Sequence, residues 1–370
     1  MTHLVAASVV DASVELLWAD GRTSSLLSMW LRDNAPDLLH TSTQHRVVET
    51  STIPTDVHPS SCTVVDGALH ITWEHDGHQS VYPTEWLREN DYSNGARYEV
   101  APPALWDGSC SDDIPSARWP DLLASDGLRV DFLRGFCAYG IGLLTDVSTE
   151  PGSVLGVADE LGVVRPTSWG TVFDVVSMVD ANSVAYTNMP LVVHTDEAYR
   201  DPAPTVQLQH FLRNDTSGGA ATLTDGFKVA ADLRRDEPEM FRLLAGHTLR
   251  FHFSDATTEL AATGSVISLD PEGNVTAIRY SNHSVLPFRL PSTVMASYYE
   301  AYRAFGRMRE SEQYQVRLNM PAGSLYIVDN RRVMHGRSGF SSGGARHLQS
   351  CYIERDELTS RLAMLERRHR

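Results

Sequence analysis

The strongest constraint on the fold is a rhythm of short β-prone runs broken by turn residues, with few stretches long enough to be helices. Over residues 1–95, the pairs Asp20-Gly21, Asp66-Gly67 and Asp76-Gly77 each separate two such runs. An Asp-Gly pair supplies the positive φ angles of a two-residue type I′ hairpin, so this region is expected to be a small antiparallel β domain. Within it Leu69-His70-Ile71-Thr72-Trp73 alternates as a half-buried strand should. Residues 96–120 turn polar and rich in Pro, Gly, Ser and Asp, which predicts a linker.

Residues 121–370 read as a second, larger domain of strands with a few helices inserted. Helical spacing covers Leu128–Tyr139 and Ser292–Met308, and Pro151 can open another helix through Leu161. Strands are expected at Val175–Val179, Leu191–Val193, Thr205–Phe211, Leu249–Phe253 and Ser324–Val328, with a hairpin turning on residues 270–273. The fold class is therefore mainly β with flanking helices, a β-sandwich or jelly roll.

Composition narrows the partners. The 370 residues carry a formal net charge of −16, which disfavours nucleic acid and anionic membranes. No run approaches the ~18 apolar residues of a membrane span. The N-terminus lacks a basic, uninterrupted signal sequence. Cys62, Cys110, Cys137 and Cys351 are widely spaced and form no C-x-x-C. A cytoplasmic protein with free thiols and a small-molecule substrate is the expectation.

His194 and Asp196 stand two apart in a strand-like run, so both side chains are expected on one face, where they can converge on a metal ion. His335, read as closing the strand Ser324–Val328, is the best second imidazole. Two histidines and one carboxylate with open positions mark non-haem Fe(II) oxygenases, although the same three residues can also hold catalytic zinc. Arg346, eleven residues after His335, offers a planar fork for the distal carboxylate of 2-oxoglutarate. The order H-x-D, H, R favours an oxygenase over a zinc hydrolase or a non-enzymatic binder of quaternary ammonium compounds.

These residues sit in longer motifs: H-T-D at 194–196, G-G-x-x-x-x-x-D-G-F at 218–227, D-N-x-R-x-x-H-G-R at 329–337 and R-H-L-x-x-x-Y at 346–352. With W-L-R-D-N at 30–34 and W-E-H-D-G-H at 73–78, they resemble the γ-butyrobetaine hydroxylase branch of the taurine-dioxygenase superfamily. The resemblance implies a double-stranded β-helix core, Fe(II), 2-oxoglutarate and O2 as cofactors and cosubstrates, and a homodimer. It puts the slot of a cosubstrate-holding hydroxyl at Ala221, with Thr222 next to it as the candidate, and an aromatic cage for a trimethylammonium group on Trp169, Phe173, Tyr186 and Tyr352. It sets Ser183, Asn188, Ser281, Asn282 and Arg289 around the substrate's anionic end. Arg289 tips the expected substrate towards 2-(trimethylammonio)ethylphosphonate, with γ-butyrobetaine as the alternative. Where such chains carry three zinc-binding cysteines, this one has Ala35, Asp37 and His40; only His78 matches, so a structural zinc site on His40 and His78 is doubtful.

Overall fold

The computed structural model describes residues 3–93, 101–176, 189–340 and 345–368, which fall into two compact units divided after Val100. In the first, β1 (Leu4–Val10), β2 (Ser13–Trp18) and β3 (Thr23–Leu27) form one antiparallel sheet, and β4 (Pro59–Val65), β5 (Ala68–Trp73) and β6 (Gln79–Pro83) form another. Alternation sends Val14, Leu16 and Trp18 of β2, and Leu69, Ile71 and Trp73 of β5, into a shared core. The expected turn holds at Asp66-Gly67, where both residues have positive φ (50° and 76°). At the other two pairs only the glycine does, and residues 19–22 and 74–78 make longer loops. There the carboxylates of Asp20 and Asp76 accept the N–H groups of Arg22 and His78, an Asx-type turn that needs less positive φ.

The second unit contributes β7 (Ser116–Arg118), β8 (Ile141–Thr145), β9 (Phe173–Val176), β10 (Leu191–His194), β11 (Val206–Asn214) and β12 (Ala221–Asp225). Two helices then lead to β13 (Thr248–Ser254), β14 (Glu259–Ser265), β15 (Ile267–Leu269) and β16 (Val275–Ile278). After the helix Ser292–Glu310 come β17 (Gln315–Leu318), β18 (Leu325–Asp329), β19 (Val333–Arg337) and β20 (Arg346–Ile353). A four-stranded sheet, ordered β10-β19-β12-β17, faces a six-stranded one, β7-β8-β18-β11-β20-β9. Leu223, Val316 and Val333 from the first meet Ile141, Phe211, Tyr326 and Leu348 from the second in one core. This is the double-stranded β-helix. The outer face of the larger sheet is covered by the helices Asp126–Tyr139, Ser153–Leu161 and Arg355–Arg368.

Residues 101–120, expected as a linker, are instead built into this unit. Trp106, Cys110 and Ile114 are buried in the central core, and Ser116–Arg118 adds β7 to the sheet. A few polar anchors suffice: the Trp106 N–H donates to Asp225 Oδ2 at 3.1 Å, and Arg332 donates to both Asp225 oxygens and to the Ala104 carbonyl. The strand begun at Phe173 is described only to Val176; the rest of the expected 175–179 run lies outside the described residues. The four cysteines are free, and no helix among the described residues is long and apolar enough to cross a membrane.

Strand β11 shows what alternation does to a polar residue. Gln207 and Gln209 line a cavity between the sheets, while Val206 and Leu208 enter the core beneath the helices. His210 shares that outward parity, is fully buried, and has no hydrogen-bond partner for either ring nitrogen among the described residues. Burial depresses its pKa to about 4. The unfolded chain therefore takes up the proton first as pH falls, so the contribution to stability is complete above about 6.5 and lost towards 4. The unfolding midpoint of the metal-free protein should fall across that window, and His210→Leu should flatten the fall. A variant with the wild-type pH profile would clear His210 of the effect.

Candidate metal centre and active-site cavity

His194 and His335 are direct cross-strand partners in the antiparallel pair β10–β19, so their imidazoles leave the same face. His335 does not close the 324–328 strand: the chain turns at residues 330–332, and His335 lies in the middle of the returning β19. Asp196 lies beyond the β10 ladder, yet its carboxylate converges with His194, and Thr195 between them is held against Tyr280. The Thr195 N–H donates to the Tyr280 carbonyl at 2.9 Å, and its hydroxyl accepts the Tyr280 N–H at 3.0 Å. Asn330 fixes the next residue, accepting the Asp196 N–H at 2.7 Å and donating to the carbonyls of Asp196 and Pro204.

Three ligand atoms, one each from His194, Asp196 and His335, all lie within 4.8 Å of one another. His194 Nε2 is 3.1 Å and His335 Nε2 3.5 Å from Asp196 Oδ1. His194 Nδ1 is 3.0 Å from the Val192 carbonyl; donating there leaves the Nε2 lone pair facing inward. Burial alone would raise the Asp196 pKa, but the two histidines and the Tyr352 hydroxyl hold it well below the usual carboxylate range. Burial pushes His335 down to about 4, so it is a neutral ligand at pH 7. Two imidazoles and one carboxylate aimed at a common point are the donor set of a non-haem Fe(II) site, and the residues fit that ion.

The triad opens onto a cavity of about 380 Å³, within the range of small-molecule sites. Arg346, the first residue of β20, lines it with its guanidinium between the rings of Phe211 (5.3 Å) and Phe340 (5.5 Å). It is 7% exposed, its Nε has no partner, and no carboxylate among the described residues forms an ion pair with it. Arg337 lines the same cavity, and burial together with the Arg346 charge lowers its pKa to about 10. Such a buried cationic patch fits an anionic cosubstrate. Trp169, Phe173 and Tyr352 are also on the cavity wall, with Phe173 and Tyr352 5.5 Å apart.

The remaining expected site residues divide. Ser281 lines the cavity, whereas Tyr186, Ser183 and Asn188 lie outside the described residues. Thr222 does not line it; its neighbour Ala221 does, because strand alternation turns Thr222 to the opposite face of β12. Asn282 belongs to a different groove, beside Tyr302, and Arg289 is exposed and off the cavity wall. In the first unit His78 pairs with Asp37 at 2.5 Å, and His40 Nδ1 accepts from the Thr43 N–H. Neither joins a metal-type cluster among the described residues.

Several wall residues escaped the sequence. Phe253 stacks on Tyr199 at 5.0 Å and tilts against Trp169 at 5.3 Å, extending the aromatic surface. Glu197, buried beside Asp196, is ion-paired with Arg200, and its pKa is raised to about 7, chiefly by burial. Gln207 grips Asp196. Only Gln207 had a readable signal: two glutamines alternating with apolar residues in V-Q-L-Q, which is unusual for a strand buried on both faces.

Comparison with known proteins places these features. Residues 73–352 match the taurine catabolism dioxygenase TauD, TfdA family, and residues 6–88 match the gamma-butyrobetaine hydroxylase-like N-terminal family. A gamma-butyrobetaine dioxygenase of Pseudomonas sp. (strain AK-1) is 36% identical over 373 residues, covering 99% of this chain and 97% of that protein. A mitochondrial trimethyllysine dioxygenase of Gallus gallus is 28% identical over 350 residues, covering 91% and 83%. A solved asparagine oxygenase in complex with Fe(II), 2S,3S-3-hydroxyasparagine and succinate aligns with a TM-score of 0.49 and 19% identity, covering 62% of this chain and 80% of that one.

Proposed function

The chain belongs to the TauD, TfdA dioxygenase family, and from that membership we propose that it hydroxylates a small zwitterion whose cationic end is a trimethylammonium group. It is an Fe(II)- and 2-oxoglutarate-dependent dioxygenase of the gamma-butyrobetaine and trimethyllysine dioxygenase type, which sets aside the zinc-hydrolase and non-enzymatic readings. His194, Asp196 and His335 would hold the iron, and Arg346 the distal carboxylate of 2-oxoglutarate. When bound, that pair would supply the oxidation: 2-oxoglutarate would lose CO2 and take one atom of O2 into succinate, leaving the other atom for insertion into a substrate C–H bond. The chain's own task is then placement, since a ~1 Å error can cost about a hundredfold in rate.

The observation that carries the substrate reading is the aromatic wall beside the triad: Trp169, Phe173 and Tyr352, widened by Phe253 and Tyr199. A quaternary ammonium has no N–H to donate, so ring faces are its natural receptors. Glu197 lies on the same wall and, with its pKa raised to about 7, adds a partial negative charge at neutral pH, tempered by Arg200. At the anionic end Ser281, His283 and Ser284 offer hydroxyl and imidazole groups, while Arg289, on which the phosphonate preference rested, lies off the wall. γ-Butyrobetaine is therefore the first substrate. 2-(Trimethylammonio)ethylphosphonate is the second, favoured by the Ser281, His283 and Ser284 cluster, which suits an anion with several oxygens.

The test is anaerobic loading with Fe(II), followed by oxygen-dependent succinate formation across trimethylammonium carboxylates and phosphonates. Turnover with neither group would end this substrate reading while leaving the family intact. Trp169→Leu should raise KM for a trimethylated substrate about tenfold, from the loss of a desolvated cation–π contact. Its dimethylated analogue, which can still hydrogen-bond, should lose less. Equal losses would remove the cage.

A further inference from the structure

The carboxylate of Asp196 treats its two oxygens differently. Oδ1 faces both imidazoles, at 3.1 and 3.5 Å, while Oδ2 accepts from Gln207 Nε2 at 2.6 Å and from the Tyr352 hydroxyl at 2.8 Å. Gln207 and Tyr352 are direct partners across the β11–β20 pair, so both side chains leave the inner face at one level. Gln207 is itself steadied: its Nε2 lies 3.3 Å from Ser350 Oγ, whose hydroxyl donates to the Leu208 carbonyl at 2.8 Å. Two adjacent strands thus present two donors to one oxygen atom.

We propose that Gln207 and Tyr352 are positioning residues that clamp Oδ2, so that Asp196 meets the metal through Oδ1 alone and the third open coordination position is preserved. The proposal rests on reading His194, Asp196 and His335 as the iron ligands. Its physical basis is coordination number. Carboxylates bind cations through one oxygen or both, and a free carboxylate of this kind can swing to the second mode. In an octahedral site three protein donors leave three positions, of which the cosubstrate takes two. A second carboxylate oxygen would close the last, where oxygen must enter. Anchoring Oδ2 from the side prevents that swing.

Tyr352 also has a second use. Its ring forms part of the aromatic wall, 5.5 Å from Phe173, while its hydroxyl holds the ligand carboxylate. One side chain therefore touches both the substrate's space and the metal's ligand, and a leucine substitution confounds the two. Phenylalanine separates them by keeping the ring and deleting only the donor.

The experiment compares Tyr352→Phe and Gln207→Met with wild type, using Mn(II) as the probe and no organic substrate. Each variant should bind Mn(II) about tenfold more weakly, as loss of an outer hydrogen bond to a ligand typically does. The unfolding midpoint of the metal-free variants should fall only modestly, by the loss of one hydrogen bond to a buried carboxylate, and that loss alone would not move the count of metal-bound waters. Water-proton relaxivity of the Mn(II)-loaded variants, which reports metal-bound waters, should fall by about a third as one of three open positions closes. Wild-type affinity and relaxivity in both variants would overturn the clamp. A wild-type protein that binds no Mn(II) would undo the ligand assignment itself, a separate failure.

Discussion

Asp196→Ala should abolish hydroxylation and reduce bound iron to a trace, with succinate formation down by at least about a thousandfold, the scale on which loss of a central catalytic group is read. Four interactions end on that carboxylate: His194 and His335 on one oxygen, Gln207 and Tyr352 on the other. Without it the two imidazoles are left as a two-nitrogen site, too few donors to compete with water for Fe(II). The deletion also strands buried donors on Gln207 and Tyr352, each costing about 1–3 kcal/mol. Asp196→Asn separates the contributions. With its amide oxygen in the place of Oδ2 it keeps an acceptor for both donors and roughly the volume, so the fold should survive while the anionic ligand is gone. Near-normal succinate formation in either variant would remove Asp196 from the centre.

Much of this centre was legible because its chemistry is carried by residue type. H-x-D and a later H-G-R announce ligands wherever the strands end, and an arginine eleven residues on announces an anion. What escaped depended on positions that spacing does not encode. His335 was assigned to the end of one strand, although a turn at residues 330–332 puts it mid-strand in another, because a three-residue reversal leaves little trace in hydrophobic pattern. Thr222, next to the Ala221 slot, offers a hydroxyl for the cosubstrate, yet period-two alternation decides the face, and alternation can be applied only when register is known. The supposed linker at 101–120 shows the limit of composition. Three buried side chains and one hydrogen-bonded carboxylate bind a segment whose average character is polar. Gln207 is the instructive case, since a polar residue in a doubly buried strand must satisfy something, and here it satisfies the metal ligand.

Arg346→Met should raise the 2-oxoglutarate concentration needed for half-maximal rate by about a hundredfold or more, since truncating one partner of a buried charge pair costs about 2–5 kcal/mol. Methionine is the informative choice because it keeps an unbranched apolar stem while removing the fork that lies over Phe211 and Phe340. Arg346→Lys should fall in between, for it keeps the charge but cannot grip a carboxylate with two parallel N–H groups. Stability should move the other way. Burial already depresses the Arg346 pKa, its Nε is unpartnered, and its charge adds to the burial that lowers the proton affinity of Arg337. Removing one of two buried like charges relieves that repulsion, so the cosubstrate-free Arg346→Met protein should unfold at a temperature equal to or above wild type. A group retained against stability is one held for its ligand, and opposite shifts in the two measurements would mark it as such. If the variant instead lost stability while keeping its 2-oxoglutarate dependence, Arg346 would be a packing residue, and the anion would have to be held by Arg337.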